Sequence, residues 1–205
     1  LLGDDDLLRR LDAGQVALLV VHAVNPYGFS HLRRVNEDNV DMNRNFRDFS
    51  DAKELNPAYA EVHELLLPAE WPPTKANGAE IAACIKRMGM AAFQAAVSAG
   101  QRSHKEGLFY CGNAPTWSNR TIRALLRKHG AGRKRIGWID LHTGLGPRGH
   151  GEKIFAGAND AAEFARSRAW WGADIMSYYE GKSASIEVQG SMVMSVYAEC
   201  PGAEA

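Results

Sequence analysis

Two stretches of the chain are apolar at nearly every position, and much of the remainder repeats at a helical period. Residues 16–21 read VALLVV and residues 135–142 read RIGWIDLH. Continuous apolar runs bounded by turn residues are the mark of strands buried on both faces, so both are predicted strands. A third is predicted at 191–200 (SMVMSVYAEC) and a short one at 152–155. Helices are predicted at 6–11, where Leu7, Leu8 and Leu11 share a face, and at 57–67, where Pro57 is near the first position. The longest helical pattern is 79–100, with Ile81, Ile85, Met88, Ala92 and Phe93 on one face. Further helices are expected at 121–129, ending at Gly130, and at 161–171. Asn25-Pro26-Tyr27-Gly28 and Asn77-Gly78 read as turns, 48–56 as loop and 107–112 as a short extended piece. Strands alternating with helices favour an α/β domain with a mixed, twisted central sheet flanked by helices, spanning 1–205.

Composition narrows the partners. Hydrophobic residues make up 45% of the 205 and charged residues 23%, enough for a proper core. Lys plus Arg and Asp plus Glu both number 24, so the net charge is zero and gives no argument for nucleic acid or an anionic membrane. Residues 16–21 are far too few to span a bilayer. Three widely spaced cysteines (Cys84, Cys111, Cys200) fit neither a disulfide framework nor a thiolate metal site, and suit a reducing, cytoplasmic setting.

Chemistry concentrates in 25–46, NPYGFSHLRRVNEDNVDMNRNF, directly after the first apolar run. Its arginines Arg33, Arg34 and Arg44 have the planar fork that grips a carboxylate or steadies an oxyanion, or they form salt bridges to Glu37, Asp38 and Asp41. His142 closes the second apolar run, with Asp140 on the same side of a strand. That placement suits a metal ligand or a base, and equally a histidine bonded to a loop carbonyl. Glu199, at the end of the third predicted strand, would have its pKa raised by desolvation, as a general base requires; the alternative is a solvated strand end. The glycine-rich loop 143–151 lacks both common phosphate-binding patterns and reads as a mobile loop or simple turn.

The motifs NPYGF, RRVNEDNVDMNRNF, PTWSNRT and IDLHTGLGP together resemble the zinc carboxypeptidase superfamily, and within it a bacterial branch long labelled a domain of unknown function. The resemblance implies a Zn2+ hydrolase of a peptide or amide bond beside a free carboxylate, acting on a small peptide or acyl-amino-acid. In that family pattern His142 is a zinc ligand supported by Asp140, and Arg34 polarises the scissile carbonyl. Asn43 and Arg44 grip the substrate carboxylate, and Glu199 is the base. Alternatives are an aspartoacylase-like deacylase of N-acyl amino acids and a non-catalytic carboxylate-binding module. The superfamily's remaining two zinc ligands come from an H-x-x-E motif that this sequence does not contain. Catalytic zinc needs three protein ligands. The sequence therefore predicts an N-terminally truncated fragment, inactive alone and lacking its first strand, with a sheet edge prone to associate.

Overall fold

The computed structural model describes residues 3–50, 56–142, 147–183, 185 and 187–204. Among them, helices predominate over a single small sheet. Helix α1 (Asp5–Ala13) is capped by Asp4, whose Oδ1 accepts from Asp6 N and Leu7 N at 3.1 and 3.0 Å. Helix α2 (Pro26–His31) is capped by Asn25. Helices α3 (Tyr59–Leu66), α4 (Lys75–Met88) and α5 (Met90–Ser98) pack around Tyr59, Val62, Cys84 and Ala96. Helix α6 (Trp117–Leu125) runs into a π-helical turn at Leu126–Gly130. Strands β1 (Ile154–Phe155) and β2 (Met176–Ser177) pair in parallel, Ile154 opposite Met176, across helix α7 (Ala161–Trp171). Helix α8 (Ser195–Glu199) follows a 3-10 turn at Met192–Met194. No helix among the described residues is long and apolar enough to cross a membrane.

The mixed α/β character holds, but among the described residues β1 and β2 are the only strands, and the expected central sheet is not formed. Residues 16–21 belong to no helix or strand and pair with no strand among the described residues. Their one backbone hydrogen bond among the described residues is Val16 N to Leu11 O, 2.9 Å. Val16, Leu18, Leu19, Val20 and Val21 are 40–56% exposed rather than buried. Residues 135–142 behave alike: beyond a bridge between Arg135 and Glu204 they pair with nothing described, and Leu141 is 91% exposed. Apolar character makes a run suitable for a sheet, but only a neighbouring strand satisfies its backbone donors and acceptors.

The third expected strand is helical for a reason its own residues contain. Met192, Val196 and Cys200 are the buried apolar positions, spaced by four, whereas alternation would have buried Met194, which is exposed. The pattern at 79–100 is two helices broken at Gly89, whose φ of +85° an L side chain rarely adopts. The first begins earlier than expected, because Thr74 Oγ1 accepts from Asn77 N and so caps it. Asn77-Gly78 therefore lies inside α4, with Asn77 Nδ2 donating to Leu65 O at 3.0 Å. Asn25 to Gly28 is likewise the first turn of α2 rather than a free turn. Gly28 is required there, since a Cβ would collide with the Arg33 carbonyl and the Asn25 amide.

A second core joins Phe46, Ile122, Leu126, Met192, Val196 and Cys200, with Val24, Ile136 and Trp138 packed on it. Residues 36–46 run between this core and the three-helix cluster, and they position the candidate site.

Candidate active site

Asp41 organises the polar stretch. It is 2% exposed, and its N donates to Tyr110 O at 2.8 Å. Its Oδ1 accepts from Asn43 N at 2.9 Å, which caps the 3-10 turn Met42–Arg44, and its Oδ2 accepts from Arg34 Nε at 2.8 Å. Two further Asx contacts shape the loop before it. Asn36 Oδ1 accepts from Asp38 N and Val40 N, and Asn39 Nδ2 donates to Lys105 O and Gly107 O. Asn39 has a φ of +60°, a left-handed conformation that asparagine tolerates.

Arg34 is held by its Nε alone. Its side chain is half exposed, and its two terminal nitrogens make no hydrogen bond among the described residues. The Phe109 ring braces it, 5.2 Å from the guanidinium carbon, and also braces Arg44, at 4.9 Å. Arg34 therefore presents an oriented fork to solvent, as a carboxylate or carbonyl site needs.

His142 Nε2 lies 2.8 Å from Asp140 Oδ2. That hydrogen bond raises the imidazole pKa; partial burial and the charge of Arg34 oppose it, and the charges of Asp140 and Asp41 add to it. His142 thus belongs to the electrostatic neighbourhood of Arg34 and Asp41. Each of the two basic side chains, Arg34 and His142, is backed by an aspartate.

The other expected residues have different work. Arg44 is buried, with Nε and Nη2 donating to Ser98 O at 2.9 and 2.6 Å and Nη1 to Asn43 O at 2.9 Å. Burial lowers its pKa to about 10, with Asp41 opposing the shift. Three of its five N–H donors serve main-chain carbonyls and the residue is 3% exposed, so in this structure Arg44 is engaged by the scaffold. Asn43 Oδ1 accepts from Met192 N at 2.9 Å, which ties the loop to the turn before α8. Gly190 approaches the Arg44 carbonyl so closely, at a φ of +76°, that no Cβ fits.

Glu199 ends α8 rather than a strand. Oε1 lies 2.7 Å from Arg123 Nη1 and Oε2 2.7 Å from Arg127 Nη1. Burial alone would raise its pKa, but the two arginines outweigh it and the net shift is downward. The premise that Glu199 is a desolvated base with a raised pKa is therefore corrected. Its charged partners, Arg123 and Arg127, differ from those of His142.

Sequence reasoning missed Asp41 as the hub and Asn45 as its anchor. Asn45 is fully buried; Nδ2 donates to Cys111 O and Ala114 O, and Oδ1 accepts from Thr116 N and Oγ1. Asn119 Nδ2 donates to Asn45 O at 2.7 Å. The joint presence of the asparagines of NRNF and the PTWSNRT segment was the available signal, since both carry unmatched donors and acceptors. Phe109 had no signal of its own.

Among the described residues no three His, Cys, Asp or Glu side chains are grouped so as to hold a metal ion. His142 offers one imidazole with a supporting carboxylate, and the described residues do not form a zinc site by themselves. Of the loop 143–151, residues 143–146 lie outside the described residues.

The family described as "Protein of unknown function (DUF2817)" matches the chain over residues 1–205. Nothing among the curated proteins and nothing among the solved structures matches it.

Proposed function

The chain belongs to the DUF2817 family of proteins of unknown function, and we propose that it carries the carboxylate- and carbonyl-gripping part of a hydrolase acting on a peptide or amide bond beside a free carboxylate. What supports this reading is the pairing of Asp41–Arg34 with Asp140–His142 in one electrostatic neighbourhood. The motif likeness to zinc carboxypeptidases agrees with it.

Arg34 is the group we assign to the substrate. Held at Nε by Asp41 and at its face by Phe109, it leaves its two terminal nitrogens to donate to an oxygen that gains charge as the bond is attacked. A fork fixed before substrate arrives needs little reorganisation. His142 adds a second basic group, and Asp140 fixes its orientation. Asn43 and Arg44 act through the scaffold: they hold the turn from which Asp41 reaches Arg34. Zn2+, implied by the motifs, would need ligands beyond His142, and no step is drawn through it here. For the same reason a carboxylate-binding module is the second reading, because Arg34 and His142 bind a carboxylate without metal.

The test is hydrolysis of N-acyl amino acids and dipeptides, with and without added Zn2+, by the wild-type protein and Arg34→Ala. The hydrolase reading expects kcat/KM to fall about 100-fold or more, mostly in kcat. Hydrolysis indifferent to Arg34→Ala would sink it. Arg34-dependent binding of the same carboxylates without turnover would establish the binding module instead.

A further inference from the structure

The PTWSNRT and NPYGF segments meet at a second place that the hydrolase reading does not use. A cleft of about 380 Å³ is lined by Asn25, Pro26 and Tyr27 from the start of α2, Asn36 and Glu37 from the loop, and Trp117 and Ser118 from the start of α6. That volume is in the range of small-molecule sites.

The exposure of Trp117 is built in. Trp117 is 58% exposed at the first position of α6. Thr116 fixes that position: its Oγ1 accepts from Asn119 N and donates to the buried Asn45 Oδ1. Tyr27 is braced against His31, ring centroids 4.2 Å apart and planes 20° from parallel. Asn36 is locked by two backbone amides, and Asn25 by Gly28 N and the Arg34 carbonyl. Glu37 is exposed, and its carboxylate joins no ion pair among the described residues. Two aromatic side chains and a carboxylate thus line one rigid cleft, and no Lys or Arg lines it.

We propose that this cleft binds an organic ammonium group. The negative faces of indole and phenol attract a cation, and Glu37 supplies the opposite charge at the rim. The edge of a desolvated ammonium is also apolar enough to sit against Pro26. The site goes beyond the hydrolase reading and does not depend on it, so it is tested by binding alone.

The experiment titrates the full chain with choline and, separately, with its neutral isostere 3,3-dimethylbutan-1-ol. Indole resonances are followed by NMR, with Trp117 assigned through Trp117→Phe. Choline should bind saturably, with shifts at Trp117, and the alcohol roughly tenfold more weakly. Trp117→Ala and Glu37→Gln should each weaken choline roughly fivefold or more, while Trp117→Phe retains most of the binding. Should Trp117→Ala fail to fold by circular dichroism, Glu37→Gln carries the test. Equal binding of choline and the alcohol, binding indifferent to Glu37→Gln, preferential binding of a neutral sugar such as glucose, or no saturable binding would each overturn the proposal.

Discussion

Asn45 has no solvent exposure, while Val20 is 55% exposed. The two belong to stretches that invert the usual relation of polarity to burial. Residues 36–46 bury Asn36, Asp41, Arg44 and Asn45. Each brings hydrogen-bond partners from elsewhere in the chain or from the stretch itself: Ser98 O for Arg44, Tyr110 O for the Asp41 amide, Cys111 O and Ala114 O for Asn45. Residues 16–21 have apolar side chains suited to burial, but among the described residues their backbone bonds only through Val16 N to Leu11 O. Burial is decided by whether every polar group can be matched, and side-chain polarity alone does not settle it.

The largest effect is expected where a buried, fully matched group is removed. Asn45→Ala leaves two carbonyls and the Thr116 donors unmatched and should lower stability by about 3 kcal/mol, read from the denaturant midpoint at unchanged m. A loss below about 0.5 kcal/mol would mean the polar stretch is held by packing alone.

Next comes Glu199, whose side chain is 12% exposed between two arginines. Glu199→Gln should cost about 2 kcal/mol near neutral pH, less than a fully buried pair because Arg127 is half exposed. The folded carboxylate has a lowered pKa, so its contribution is present above the unfolded carboxylate pKa and is lost as pH falls through the folded one. The gap between wild type and variant should close in acid. A gap that stays constant there would show that shape, not charge, sets the cost.

A smaller shift is expected at His142. Its raised pKa means that its contribution is full below the unfolded imidazole pKa and fades as pH rises through the folded value. Asp140→Asn should move the His142 titration, followed by NMR, toward lower pH. An unmoved titration would detach Asp140 from the site.

The smallest effect on stability belongs to the exposed run. Val20→Thr should change unfolding free energy by less than about 0.5 kcal/mol and reduce self-association seen in sedimentation. A large loss of stability would show that 16–21 is buried in solution, and the comparison with 36–46 would fail.

Much of the local architecture was legible because local rules produce it. The helix expected at 161–171 forms with those bounds, capped by Asp160, whereas α6 begins at Trp117, four residues before the expected 121, because Thr116 caps it there. Gly130 closes the turn that ends α6, as expected. The Asx-rich spacing of 36–43 makes turns from its own side chains. His142 beside Asp140 was also readable, since two residues in an extended segment share a side. Arg34 was named, and its fork does stand open.

What the sequence could not decide is what depends on distant parts of the chain. Nothing in NRNF says that Arg44 will meet Ser98 O and Asn43 will meet Met192 N. Nothing in AEC says that Arg123 and Arg127, one turn apart on another helix, will hold Glu199 charged. The sequence by itself determined the helices expected at 57–67 and 161–171 and the polar turns of 36–43, because their hydrogen bonds close within a few residues. Only the tertiary structure decided which apolar runs pair and which polar groups are free for a ligand, because those outcomes rest on partners far away in the chain.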